Sequence, residues 1–97
     1  MSESELSGIH ATVEGYVHGV GFRYFVQETA VGLGLTGWVR NRTDGTVEVL
    51  AEGEHIHLEN LLAALRRGPR AAYVSGVDFE WLPATGAYTQ FIVRMTG

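Results

Sequence analysis

Two periodicities divide the chain into strands and helices. Alternation of hydrophobic and polar residues is clearest in the first three predicted strands and indicates strands with one buried face. All five strands are predicted at residues 9–15, 35–41, 47–52, 72–81 and 88–95. Residues 22–33 and 54–67 instead carry apolar side chains at spacings of three and four, which is typical of helices packed on a core.

The order of these elements is strand, helix, strand, strand, helix, strand, with one extra strand at the end. This order predicts an α+β fold, a ferredoxin-like βαββαβ sandwich in which an antiparallel sheet carries both helices on one face and the chain adds a C-terminal strand. In such a sheet the first and third strands are central and the second lies at an edge. The loop after the first strand and the turn after the second then lie at the same end of the sheet.

Composition narrows the class of protein. The chain has 97 residues, 45% of them hydrophobic, which predicts one folded domain over residues 9–97 after a flexible N-terminal segment, residues 1–8. The net charge of −4 argues against nucleic acid as a partner. No cysteine is present, which excludes disulfides and thiolate metal ligands, and no apolar run is long enough to span a membrane. We therefore expect a cytoplasmic monomer that binds neither nucleic acid nor membrane.

Three glycines, at positions 15, 19 and 21, lie between the first predicted strand and the first helix. Glycine permits left-handed backbone conformations, so successive N–H groups of this loop can point at one anion. The start of the helix adds further free N–H groups and the positive end of its dipole. Arg23 adds a forked cationic donor suited to a phosphate or a carboxylate. The residues alone leave two alternatives open, an anion site or a glycine-rich turn with a solvated arginine.

Two motifs resemble those of the acylphosphatase family. Residues 13–23, VEGYVHGVGFR, follow the family's pattern small-x-G-x-V-Q-G-V-x-F-R and depart from it at His18, where the family usually has Gln. Residues 37–47, GWVRNRTDGTV, follow the pattern G-W-V-x-N with a later G-x-V, and Gly53 matches a further glycine. The resemblance extends to residues 91–94 and so covers nearly the whole chain.

This resemblance implies an enzyme that hydrolyses the carboxyl–phosphate bond of small acyl phosphates, giving carboxylate and inorganic phosphate without a metal or other cofactor. In the family, loop amides and an arginine hold the phosphate and an asparagine orients the attacking water. By position, the catalytic residues are Arg23 and Asn41. The phosphate-binding residues, in addition to Arg23, are Tyr16, Val17, His18, Gly19, Val20 and Gly21. Phosphoryl transfer to a good leaving group depends mainly on positioning and charge stabilisation, which these residue types can supply.

Two other classes of function compete with this interpretation. A non-catalytic anion-sensing module of ferredoxin-like fold would keep the phosphate-binding loop, but binding alone needs no water-orienting Asn41. On its own, an asparagine beside a turn can also satisfy backbone N–H groups. An RNA-binding βαββαβ domain would need a basic surface, which the net charge disfavours. A local basic patch could still be formed by Arg40, Arg42, Arg66, Arg67 and Arg70.

The remaining polar residues have simpler interpretations. His18 either responds to bound phosphate through its charge near neutral pH or only fills the place of Gln at the outer edge of the loop. His55 and His57 stand two positions apart on a predicted helix, where side chains point in different directions, so they are predicted to be solvated rather than metal ligands. A solvated face is predicted for Glu48, Glu52 and Glu54.

Overall fold

The computed structural model describes residues 5–97, and its elements follow the predicted order. The five strands are β1 (Leu6–Tyr16), β2 (Thr36–Asn41), β3 (Val47–Glu54), β4 (Tyr73–Pro83) and β5 (Phe91–Val93). The two helices are α1 (Phe22–Gly32) and α2 (His55–Arg67). The predicted α+β, ferredoxin-like fold with an extra C-terminal strand is thereby confirmed.

The first strand begins three residues earlier than alternation predicts. Residues 1–4 of the predicted flexible segment lie outside the described residues, whereas residues 6–8 already belong to β1. Ser7 pairs with Gly53 of β3 on one side and with Pro83 of β4 on the other. Residues 6–8 carry no strong alternation, so this extension comes from pairing with two distant strands.

The sheet has the order β4-β1-β3-β2-β5, and two predictions about it were wrong. The second strand is not at an edge, because β5 pairs with it, and that pairing is parallel, so the sheet is mixed. Gly37 N donates to Gln90 O at 2.9 Å and Arg94 N donates to Val39 O at 2.8 Å, which extends the pairing beyond both ends of β5. The chain reaches this position by crossing from the opposite edge strand, a path that local periodicity does not encode.

Both helices cover one face of the sheet and enclose the hydrophobic core. Three side chains of α1 and three of α2 are at most 1% exposed: Phe22, Val26, Ala30, Leu58, Leu61 and Leu65. They pack against the inward side chains of the three central strands, such as Ile9, Val39 and Val49, each 0% exposed. Burying one such large side chain stabilises the fold by about 1.5–3 kcal/mol. Among residues 5–97, neither helix is long and apolar enough to cross a membrane.

The opposite face of the sheet is less solvated than predicted. Glu48 and Glu52 are only 6% and 7% exposed, so the prediction that both are solvated was wrong. Glu52 is buried because the segment after β4 folds over it, and its carboxylate accepts hydrogen bonds from Thr85 N, Thr85 Oγ1 and Gly86 N at 2.8–3.1 Å. Glu54 is the exposed member of the group, with 43% of its side chain accessible. Distant segments therefore cover polar positions that alternation assigns to solvent.

Candidate active site

The loop between β1 and α1 (residues 17–21) is held at its two ends and shaped by glycine between them. Val17 and Phe22 are each 1% exposed and insert into the core on either side of the loop. Gly19 and Gly21 have φ values of +71° and +78°, in the left-handed region that other residues rarely adopt. A Cβ at either position would meet nothing within 4 Å, so backbone conformation rather than space requires glycine here.

Gly15, just before the loop, is required for a different reason. The register between β1 and β4 shifts between Glu14 and Gly15, which forms a bulge in the strand. A Cβ on Gly15 would lie 2.1 Å from Tyr73 O and 2.8 Å from Ser75 N, closer than any side chain can approach. The strand can turn into the loop at this point only because the backbones of β1 and β4 come together without a side chain between them.

The backbone N–H groups of the loop have no acceptor in the part of the chain that the structure describes. Within residues 5–97, no N–H from Val17 to Tyr24 donates a hydrogen bond to the chain, and the first such bond runs from Phe25 N to Gly21 O at 3.0 Å. The first turn of α1 contains no acidic side chain that could neutralise its positive end. Such a run of free N–H groups at a helix N-terminus favours a bound anion.

Arg23 lies in the first turn of α1, next to these N–H groups. Its side chain is half-buried, and it forms no ion pair with any carboxylate among the described residues. Its guanidinium carbon lies 6.0 Å from the centroid of the Tyr24 ring. Arg40 and Arg42, in contrast, both bond to Glu48. Arg23 therefore keeps its donors available for a ligand.

Asn41 is the last residue of β2. Its Oδ1 is buried, yet it accepts no hydrogen bond from the part of the chain that the structure describes. The alternative that Asn41 satisfies the N–H groups of the following turn does not hold, because Asp44 does so: Thr46 N and Oγ1 both donate to Asp44 Oδ1, at 3.0 and 2.6 Å. Leaving a buried acceptor without a partner costs about 1–3 kcal/mol, so Asn41 Oδ1 is an acceptor that a group outside the described residues can use.

The turn after Asn41 also contacts the glycine loop. His18 Nε2 lies 2.8 Å from Thr46 O, and Arg42 N donates to the same carbonyl at 2.8 Å. The loop and the hairpin turn between β2 and β3 (residues 42–46) therefore lie side by side, at the end of the sheet where the fold predicts them. Hydrogen bonds from the Thr46 side chain and then from its backbone lower the pKa of Asp44, with a smaller contribution from Arg42.

Glu48 supports this hairpin from the open face of the sheet. It accepts hydrogen bonds from His10 Nε2 at 2.6 Å, Arg40 Nε at 2.7 Å and Arg42 Nη1 at 3.2 Å. Burial alone would raise the pKa of Glu48, but the bonds from His10 and Arg40 outweigh it and lower that pKa. The carboxylate is thus held ionised beneath the two arginines that flank Asn41.

Comparison with known proteins identifies the family. The sequence model of the family described as acylphosphatase matches residues 9–93. The chain belongs to the acylphosphatase family. An acylphosphatase from Pseudomonas paraeruginosa is 54% identical over 86 residues, covering 89% of this chain and 93% of that protein. One from Syntrophotalea carbinolica is 46% identical, covering 89% of this chain and 94% of that protein. The structure of an acylphosphatase from Coxiella burnetii matches with a TM-score of 0.88 and 41% identity, over 97% of this chain and 100% of that chain.

These matches confirm the predicted acylphosphatase-type hydrolase at the level of family and enzyme class. The roles of the individual site residues stay predictions. Tyr16 at the end of β1, loop residues 17–21 and Arg23 in the first turn of α1 form one continuous segment, and the His18–Thr46 contact brings this segment to the turn that follows Asn41.

Sequence reasoning missed two features of this candidate site. The Glu48 network was missed because its members look like ordinary solvated residues in the sequence, and the register that places Arg40 opposite Glu48 was not predicted. The partner of His18 was missed because Thr46 lies 28 residues further along the chain. The surroundings of His55 and His57 are also described: His55 stacks on Trp81 with ring centroids 4.2 Å apart and lies 3.2 Å from Glu59, and His57 lies 3.5 Å from Glu54.

Proposed function

We propose that the chain hydrolyses small acyl phosphates, with the phosphate held by loop residues 16–21 and Arg23 and the attacking water oriented by Asn41. The observation that carries this proposal is that, within residues 5–97, the buried Oδ1 of Asn41 has no hydrogen-bond partner and neither do the N–H groups of the loop that contacts the following turn. A site that only bound an anion would need the donors and would not need the acceptor. The combination fits a reaction in which an anion and a water meet.

The phosphate group is bound by donors alone. Loop N–H groups, the positive end of α1 and the Arg23 guanidinium all favour a doubly charged phosphate. As the bond to the carboxylate breaks, charge spreads over the three equatorial phosphate oxygens, and donors already in place stabilise it without reorganising. Removing one such donor typically lowers kcat by about 10²–10³.

Asn41 acts on the water. An amide does not titrate near neutral pH, so it cannot remove a proton, but its Oδ1 can accept a hydrogen bond from a water and hold it in line. The water oxygen forms a bond to phosphorus, and the carboxylate leaves with the electrons of the broken P–O bond. The proton of the water passes to a phosphate oxygen of the substrate. Because a carboxylate is a good leaving group, no general acid is required.

A turnover assay on benzoyl phosphate tests the proposal. We expect hydrolysis to benzoate and inorganic phosphate, competitive inhibition by inorganic phosphate, and an unchanged rate in EDTA, because no step uses a metal ion or another cofactor. Loss of activity in EDTA that Mg²⁺ or Zn²⁺ restores would contradict this mechanism. Binding of phosphate without any turnover would instead support the anion-sensing module.

Further properties belong to the same proposal. We propose that the predicted single domain of residues 9–97, together with residues 6–8 of β1, acts as a monomer in the cytoplasm and binds neither nucleic acid nor membrane. The net charge of −4 and the absence of cysteine support these assignments, as does the pairing of Arg40 and Arg42 with Glu48. Light scattering after size-exclusion chromatography, an RNA titration at low salt and cell fractionation test them in turn.

A further inference from the structure

The side chain of His18 connects two parts of the site that are otherwise separate. We propose that His18 is a positioning residue: its ring fixes the loop between β1 and α1 against the hairpin turn that follows Asn41. The proposal rests on the proposed function, in which the loop holds phosphate and Asn41 holds water. It assigns to the imidazole neither of the two roles that the sequence left open, pH response or simple space filling.

The hairpin offers His18 a fixed acceptor. Thr46 is held by two bonds to Asp44 Oδ1, from its N at 3.0 Å and its Oγ1 at 2.6 Å. Gly45 N donates to Arg42 O at 3.1 Å, and Arg42 N donates to Thr46 O at 2.8 Å. The carbonyl that accepts from His18 is therefore part of a closed turn, and it bonds directly to the residue after Asn41.

The middle of the loop has few other restraints. Val17 and Phe22 anchor its ends, but Gly19 and Gly21 have open space around the position of a Cβ, and none of the N–H groups of residues 17–21 bonds to the described chain. Within residues 5–97, the contact between His18 Nε2 and Thr46 O is the hydrogen bond that ties the loop side chains to the hairpin. It therefore sets where the phosphate-binding N–H groups lie relative to Asn41 Oδ1.

The chemistry of this bond makes a specific demand on the imidazole. A carbonyl only accepts, so Nε2 must carry a proton, which is true of the neutral Nε2–H tautomer and of the charged ring alike. A glutamine amide can donate in the same way from its own Nε2, whereas alanine cannot.

Loss of the hydrogen bond between His18 and Thr46 should lower the turnover rate and leave phosphate affinity nearly unchanged. The N–H groups that bind phosphate belong to the loop itself, so phosphate affinity should change little when the loop shifts as a unit. Turnover depends on the distance between the bound phosphate and the water held by Asn41, and a misplacement of about 1 Å can lower a rate by up to about 10²-fold. We expect His18→Ala to lower kcat about tenfold and to change Ki for inorganic phosphate less than about twofold.

The experiment compares His18→Ala, His18→Gln and the matched control His57→Ala, whose imidazole lies on α2 near Glu54. His18→Gln should recover most of the lost kcat, and His57→Ala should match the parent. Equal losses of kcat and phosphate affinity in His18→Ala would overturn the proposal, because the ring would then act on phosphate binding. The proposal would also be overturned if the kcat of His18→Ala equalled that of the parent, or if His18→Gln lost as much kcat as His18→Ala.

An NMR measurement tests the bond without relying on activity. In the parent at neutral pH, ¹H–¹⁵N spectra of the imidazoles should show His18 protonated at Nε2. The Arg42 amide, which shares Thr46 O, should shift in His18→Ala and return towards the parent position in His18→Gln. A His18 ring protonated only at Nδ1, or an Arg42 amide unmoved by His18→Ala, would overturn the proposal even in a protein that hydrolysed no acyl phosphate. Failure of the parent on benzoyl phosphate would instead count against the proposed function.

Discussion

The loop between β1 and α1 and the hairpin turn between β2 and β3 are neighbours, but they treat their polar groups in opposite ways. In the hairpin, Asp44 and the Thr46 carbonyl together accept four hydrogen bonds, counting the one from His18 of the loop, and Glu48 secures Arg42. In the loop, the N–H groups from Val17 to Tyr24 bond to nothing in the described chain. The hairpin turn satisfies its polar groups with hydrogen bonds inside the chain, whereas the loop leaves its N–H groups available to a ligand.

Asn41 lies at the boundary between these regions and combines both behaviours. Its backbone carbonyl accepts from Gly97 N at 3.1 Å, as part of the ordered end of β2, whereas its Oδ1 is buried without a partner among residues 5–97. A reactive group of this kind is useful only if the backbone around it does not move. In the proposed function, the hairpin holds the acceptor of Asn41 in place and the loop supplies the donors.

The largest effect is expected from removing the charged donor of the loop. Arg23→Gln should lower kcat on benzoyl phosphate by about 10³ and also raise Ki for inorganic phosphate, because the guanidinium contacts phosphate in the ground state and in the transition state. Steady-state kinetics measure both quantities. Arg67→Gln, on the exposed last turn of α2, is the control. An unchanged Ki in Arg23→Gln would mean that Arg23 does not bind phosphate.

The second-largest effect is expected from removing the side-chain acceptor of Asn41, which tests its role separately from that of the phosphate-binding donors. Asn41→Ala should lower kcat by about 10² and leave Ki for inorganic phosphate nearly unchanged, since only the orientation of water is lost. Asn60→Ala, on the exposed face of α2, controls for loss of an amide. If Asn41→Ala weakened phosphate binding as much as Arg23→Gln does, the proposed division of roles would be wrong.

A third change weakens the support beneath the hairpin. Because the folded-state pKa of Glu48 is lowered from 4.5, its stabilising contribution is complete above that value and is lost as pH falls through the lower, folded pKa. Glu48→Gln should therefore lower the free energy of unfolding by about 1–2 kcal/mol at pH 7, and this difference should shrink below about pH 4.5. Denaturant unfolding at several pH values measures it, with the exposed Glu14→Gln as control. A difference independent of pH would show that the charge of Glu48 is not involved.

The smallest effect is expected from the exposed carboxylate of the turn. Asp44→Ala removes the acceptor of two bonds from Thr46 and should loosen the hairpin, lowering kcat by about threefold while leaving Ki for phosphate unchanged. In the parent, NMR titration should place the pKa of Asp44 below 3.8, and Thr46→Val, which removes the side-chain donor, should raise it. Asp78→Ala, on the exposed part of β4, is the control. A larger change in Ki than in kcat would mean that the turn acts on the loop rather than on Asn41.

The sequence was most informative where structure depends on near neighbours. The helical spacing that predicts residues 22–33 and 54–67 corresponds to α1 and α2 within a few residues, because side chains three and four apart share one face of a helix. The glycine loop was equally visible, since left-handed conformations at Gly19 and Gly21 require glycine whatever surrounds them. Arg23 and Asn41 could be singled out because they belong to two motifs that resemble those of one family.

Distant contacts decided the rest. β2 lies inside the sheet because β5 returns beside it, and Glu48 is buried because β1 and β2 bring His10 and Arg40 to it from 38 and 8 residues away. The ring of His18 finds its acceptor 28 residues further on. By itself the sequence determined the order of elements, the backbone of the loop and the residue types offered to a ligand, because these follow from local periodicity and allowed dihedral angles. Only the tertiary structure decided which strand is an edge, which carboxylate is buried and which side chain joins loop to hairpin, because each depends on pairing that closes long stretches of chain.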